Sequence, residues 1–97
     1  MIPVMRIEIV IGARHSRRVT DLLDQLGLDG WTLLRDASGK GERGPRFSDE
    51  LTSATSNHWV LTTCPRERLD DVVEPIREML KRYGGLCLVS EAHWLVH

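Results

Sequence analysis

The sequence predicts a single α+β domain, because apolar residues recur with a period of two in several short runs and with helical i, i+3, i+4 spacing in two others. The two kinds of run alternate along 97 residues, too few for a second core. Residues 4–11 put Met5, Ile7, Ile9 and Ile11 on one face and Arg6 and Glu8 on the other, the pattern of a half-buried strand rich in β-branched residues. After Gly12 the spacing changes. Val19, Leu22, Leu23 and Leu26 share one helical stripe, with Ser16 as the expected N-cap and Gly27 as the expected C′ residue. Residues 31–35 are the second strand and 58–64 the third. A second helix is expected over 66–83, with Leu69, Val72, Val73, Ile76, Leu80 and Tyr83 facing inward. Pro75 lies inside it and lacks the donor a helix interior needs, which predicts a kink or a boundary. Gly84-Gly85 closes that helix, residues 86–90 form a fourth strand, and 92–96 a short fifth.

Two βαβ halves with both helices on one face of an antiparallel sheet make a ferredoxin-like βαββαβ plan, here with an extra short C-terminal strand, over one domain of residues 1–97. Between the halves, residues 36–57 show no period of either kind. They hold three glycines, Pro45, and charges of both signs. Small domains rarely carry so long a connection unless it has a function.

Thirteen basic residues face fourteen acidic ones, for a net charge of −1, which argues against a protein built mainly to grip nucleic acid or an anionic membrane, since both depend on excess positive charge. No apolar run reaches the roughly 18 residues of a membrane span. The opening residues carry Arg6 and Glu8 where a signal peptide keeps an apolar core, so a cytoplasmic location is expected, without direct membrane insertion. Cys64 and Cys87 sit far apart in apolar runs and read as two buried structural thiols.

The candidate chemistry concentrates in Gly39-Lys40-Gly41-Glu42-Arg43-Gly44. Its G-x-G-x-x-G spacing is that of a dinucleotide fingerprint, but no helix follows: Pro45-Arg46-Phe47-Ser48 reads as loop. No Gly-Lys-Ser/Thr completes a P-loop either. Glycine lets backbone N–H groups approach an anion closely, and Lys40 and Arg43 supply countercharge. The same residues would equally serve a flexible, solvated hairpin.

These residues resemble the PII-like signalling proteins, over nearly the whole chain. In that family the long loop is the T-loop, here residues 36–57, whose base carries a Gly-x-Gly-Arg-type segment that contacts nucleotide phosphates; Gly39-Lys40-Gly41-Glu42-Arg43 stands in its place. Gly27-Leu28-Asp29-Gly30-Trp31-Thr32 is similar to the family's G-x-x-G-x-T, and Thr62-Thr63-Cys64-Pro65 to its apolar strand closing in proline; both line the adenine pocket. The resemblance implies a homotrimer with an adenine nucleotide between subunits, held by Thr32, Gly39, Lys40, Gly41, Arg43, Thr63, Gly84 and Gly85. The chain departs from the nitrogen-sensing branch. Only Gly84-Gly85 follows the second helix, where that branch has Gly-Asp-Gly-Lys, and no arginine stands in 92–97. The magnesium-holding glutamine is absent (Arg43 is nearest), as is any loop tyrosine. In these respects the chain resembles the PII-like proteins of inorganic carbon uptake and carboxysomes. That implies ADP or AMP as ligand, bicarbonate as a second effector near Gly41, Arg43 and Arg46, no metal, and a transporter or carbon-fixation partner reached through the loop.

His93 and His97, four apart on a strand, stand about 13 Å apart and cannot share an ion. Trp31, Trp59 and Trp94 are expected in core or interface packing, with purine stacking as the alternative. His15 and His58 read as surface residues. No nucleophile–base set supports covalent catalysis, so the chain is not expected to be an enzyme. The alternative function is a trimeric copper-tolerance protein of the CutA type, which shares the plan but joins its second and third strands tightly.

Overall fold

The computed structural model describes residues 1–38 and 56–97. Strand β1 (Ile2–Gly12) leads through a 3-10 turn, Ala13–His15, into helix α1 (Ser16–Gln25) and then strand β2 (Trp31–Ala37). Strand β3 (Asn57–Cys64), a second 3-10 turn at Arg66–Arg68, helix α2 (Leu69–Tyr83) and strand β4 (Leu86–Trp94) complete the domain. The sheet order is β2-β3-β1-β4, antiparallel throughout, as the ferredoxin-like plan requires.

The core lies between the sheet and the two helices. Ile7, Ile9 and Ile11 are fully buried, with Val19 and Leu23 from α1, Val60 from β3, and Val72 and Ile76 from α2. These are the residues that the two periodicities pick out. Burial of an aliphatic side chain of this size stabilises the fold by about 1.5–3 kcal/mol. Met79 also packs against this cluster, outside the stripe assigned to α2 from sequence, whereas Val73 does not join it.

Four local expectations are corrected. Ser16 does not cap α1: it is the first helical residue, and its hydroxyl donates back to the Ala13 carbonyl at 2.9 Å, closing the preceding tight turn. Pro75 neither ends nor splits α2, which runs through it for 15 residues; burial of Val72 and Ile76 on either side outweighs one missing backbone bond. The fourth and fifth strands are one. β4 stays paired with β1 from Leu86 opposite Val10 to Trp94 opposite Ile2, because β1 is long enough to template it all. The strands also reach into the 36–57 segment, leaving residues 38–56 as the connection. Asp36, at φ 60°, and an irregularity between Leu34 and Ala37 turn β2 as it enters that connection.

Gly27 behaves as expected. With φ 72° it donates to Asp24 at 3.0 Å while Leu28 donates to Leu23 at 3.3 Å, the paired closure of a Schellman motif.

Candidate functional site

Strand alternation leaves the sheet face away from the helices open. It carries Thr32 and Leu34 from β2, Trp59, Leu61 and Thr63 from β3, Val10 from β1, and Leu86, Leu88 and Trp94 from β4. Leu34, Leu88 and Trp94 are more than half exposed, apolar side chains spread over this face of the kind that marks an interaction site. At its centre Arg6 donates to the Ser90 hydroxyl at 3.2 Å and lies 3.9 Å from the Glu8 carboxylate. None of the three tryptophans belongs to the buried core: Trp31 and Trp94 are exposed and Trp59 is half-buried.

The sequence-predicted site divides into two groups. Thr32 pairs opposite Leu61 and Thr63 opposite Arg6, so both hydroxyl-bearing residues share the open face near one sheet edge. The neighbouring Thr62 points the other way, is buried, and donates to the Gly30 carbonyl at 2.7 Å. Gly84 and Gly85 lie at the opposite end of the strands, just before Leu86 meets Val10. That end also holds Ala37 and Asn57, where the long connection leaves and returns, and the Ala13 amide donating to Ser56 at 2.7 Å. Along the strands, Thr63 in the Arg6 row is roughly 15 Å from Gly85 and Thr32 in the Glu8 row about 10 Å, before a lateral step of two and three strands respectively. One chain therefore does not bring Thr32 and Thr63 together with Gly84 and Gly85. Gly39, Lys40, Gly41, Arg43 and Arg46 lie outside the described residues.

Gly84 and Gly85 have structural duties of their own. Gly84 (φ 81°) donates to Leu80 at 2.8 Å and closes α2, which commits its amide. Gly85 (φ 111°) passes so near β1 that a Cβ there would stand 2.5 Å from the Val10 carbonyl oxygen. Only glycine combines that φ with that approach.

Around this end lie features that sequence reading passed over. The His15 ring stacks on Tyr83 with centroids 4.5 Å apart, and its Nδ1 is buried without a hydrogen-bond partner among the described residues. Desolvation, then the Arg14 and Arg18 charges, hold its pKa below the ordinary value. His58 Nδ1 lies 2.9 Å from the Ser16 oxygen. Since that hydroxyl gives its only proton to Ala13, His58 must donate through Nδ1, leaving Nε2 the acceptor in the neutral ring. A cleft of about 370 Å³ between α1 and β2 is lined by Arg17, Asp21, Asp24, Trp31, Arg35 and His58 among others, on the helix side of the sheet and apart from Thr32 and Thr63. There the Trp31 indole donates to Asp24 at 3.0 Å. Both thiols are free; burial raises the pKa of each, with Cys64 fully buried and Cys87 partly so. Among the described residues no group of three His, Cys, Asp or Glu is placed to hold a metal ion.

The model of the family "Nitrogen regulatory protein P-II" matches residues 4–95. The chain belongs to this family. Membership sets aside the copper-tolerance alternative. Among solved structures, CPII, a nitrogen regulatory PII-like protein from Thiomonas intermedia K12, bound to ADP, AMP and bicarbonate, superposes with a TM-score of 0.80 at 24% identity, covering 95% of this chain and 88% of that one. A second CPII structure, at 2.3 Å and with the same three ligands, gives a TM-score of 0.77 at 25% identity, covering 95% and 94%. CPII in its apo form aligns with a TM-score of 0.74 at 22% identity, over 95% and 91% of the two chains. No curated protein sequence matches. This P-II family member thus shares the fold of the CPII structures.

Proposed function

We propose that this P-II family member is a regulatory homotrimer that binds ADP or AMP in clefts between subunits and responds to bicarbonate. The observation that carries the proposal is the division of the candidate site. Thr32 and Thr63 lie on the open face near one edge, whereas Gly84, Gly85 and the roots of the long connection lie at the far end of the strands. A pocket needing both groups is completed only when the edge of one copy meets the loop end of the next. The exposed apolar side chains of the open face are the surface such copies would bury, and Trp59 and Trp94 belong to it.

In this reading Thr32 and Thr63 line the adenine side, and the loop base with Gly39, Lys40, Gly41 and Arg43 receives the phosphates. Gly84 and Gly85 form the opposite wall by shape, since the Gly84 amide is already used in the helix cap. ADP and AMP are favoured over ATP because outer phosphate oxygens need several fixed donors or a cation, and the sequence between Tyr83 and Leu86 supplies only two glycines. Bicarbonate, a small planar anion, suits the N–H groups and guanidinium of Gly41, Arg43 and Arg46. CPII, the structural relative, is bound to ADP, AMP and bicarbonate, which supports the same ligands here. The protein is then a cytoplasmic, non-enzymatic reporter whose loop meets a transporter or carbon-fixation component of inorganic carbon uptake or carboxysome function.

Light scattering combined with calorimetric titration of AMP, ADP and ATP, each with and without bicarbonate, tests the proposal. A trimer binding ADP or AMP more tightly than ATP is expected, with bicarbonate and nucleotide tightening one another by the same factor. A monomer, or ATP bound tenfold more tightly than ADP, contradicts it.

A further inference from the structure

The charges of α1 are arranged against its own helix dipole. Its first turn carries Arg17 and Arg18, with Arg14 just before and no acidic residue, while Asp21 and Asp24 follow toward its end and no basic residue stands in its last turn. The usual preference is the reverse, anionic at the start and cationic at the end. Helix α2 obeys it, with Asp70 and Asp71 in the first turn and Lys81 and Arg82 in the last. Because the helices are antiparallel, the inverted one and the regular one send their cations to the same end of the domain. Strand β2 adds Arg35 there.

The opposite end collects Asp24, Asp29, Glu67, Asp70, Asp71 and Glu91 against Arg66 and Arg68, while at the basic end Asp36 and Glu78, the latter paired with Lys81, are the described acids. A chain with a net charge of −1 is therefore polarised along its helices. Local charge preference is broken in α1 to achieve this, the signature of a constraint other than stability. Among the described residues, Arg14, Arg17, Arg18, Arg35 and Arg82 form no ion pair, whereas Arg66 at the acidic end pairs with Glu91. Tyr83 stands among the cations, with the Arg18 and Arg82 guanidinium carbons 4.8 and 5.5 Å from its ring centroid.

We propose that this loop end is a docking face for an anionic lipid surface. The cations come from a helix start, a helix end and a strand, and spread over one end instead of converging on a pocket, which matches a planar field more than a single anionic group. Among the described residues this end has no apolar centre of the kind a protein interface carries: their exposed large apolar side chains lie mostly on the open sheet face or toward the other end, as with Trp31, Trp94, Leu95 and Val96. Along α2 the acidic and basic turns are about 16 Å apart, roughly twice the screening length at physiological salt. At a charged plane the basic end is attracted while the acidic end is screened, so the domain binds end-on despite its net charge. Insertion is not involved.

The test is co-sedimentation of the full chain with vesicles of phosphatidylcholine and phosphatidylglycerol in equal parts, against phosphatidylcholine alone. Binding to the anionic vesicles only is expected at about 0.05 M salt, and its loss at about 0.5 M. Arg14→Gln/Arg17→Gln should weaken it about 25-fold, at about fivefold per charge, while Arg66→Gln/Arg77→Gln, with the same change in net charge, should leave it within about twofold. The first pair should also melt at or above the wild-type temperature, because it removes cations from a helix start. Absence of binding to anionic vesicles at low salt overturns the proposal and leaves the face to an acidic protein. Equal loss in the two pairs overturns it as well.

Discussion

Replacing Gly85 by alanine separates two demands that the glycine meets. The residue has φ 111°, and an added Cβ would stand 2.5 Å from the Val10 carbonyl oxygen and 3.1 Å from Leu80 Cδ2. The left-handed conformation alone costs a residue with a Cβ about 1–2 kcal/mol. The carbonyl belongs to β1, paired on both sides and unable to yield cheaply, so overpacking adds about 1–3 kcal/mol. Gly85→Ala should therefore destabilise by roughly 2–5 kcal/mol, equivalent to roughly 10 °C or more in melting temperature for a domain of this size. Gly27 provides the comparison: its φ is 72°, but an added Cβ would meet nothing within 4 Å, so Gly27→Ala should show the conformational part alone. Gly30 lacks both features, and Gly30→Ala should be stabilising by about 0.4–1 kcal/mol through the unfolded chain. Urea unfolding of the three variants at one protein concentration gives the ranking. A Gly85→Ala loss no larger than that of Gly27→Ala would refute the steric argument.

Three further outcomes follow from the same geometry. Because the His15 pKa lies below its ordinary 6.5, the unfolded chain binds the proton more readily. Stability should therefore fall as pH drops below that value, and His15→Gln should lessen the fall in urea midpoint between neutral and mildly acidic pH; identical pH profiles would exclude the role. Ser16→Ala leaves His58 Nδ1 without its hydroxyl partner at a buried position, while the backbone N–H of residue 16 still donates to the Ala13 carbonyl, for a loss of about 1–3 kcal/mol by chemical denaturation. Cys64 and Cys87 should both react slowly with a disulfide reagent in the folded protein, Cys64 the slower because it is fully buried; rapid labelling of Cys64 at native pH would contradict its raised pKa.

The core was legible because it depends on periodicity alone. The isoleucines of β1 and the stripes of α1 and α2 fall where a period of two or of 3.6 places them, and the sheet order follows from two βαβ halves. Where the reading failed, a tertiary partner had overridden a local signal. Ser16 looks like a cap, but the tight turn before it offers a nearer acceptor at Ala13. Pro75 looks like a break, but the buried residues flanking it hold the helix together. Residues 86–96 look like two strands, but β1 is long enough to pair with one. The three tryptophans on strands carried no signal telling core from open face, because that depends on which face the helices cover. The candidate site was read as one set of residues, of which the structure describes Thr32, Thr63, Gly84 and Gly85. Its division was not, because the distance between Thr32 and Gly85 depends on register. The polarity of the domain was invisible in the net charge and emerges only once α1 and α2 are known to be antiparallel.

The central claim is that each nucleotide site is shared between two chains, and mixed trimers test it directly. Thr32→Trp should block the adenine side, and Arg43→Glu should repel phosphate at the loop base, so that neither protein binds ADP alone. After subunit exchange in equal amounts, about a quarter of the interfaces pair an intact loop base with an intact Thr32 from the neighbouring chain. Calorimetry of the mixture should therefore recover ADP binding of wild-type affinity at about a quarter of the sites. A mixture that has exchanged subunits and still binds no ADP would show that both halves of the site come from the same chain.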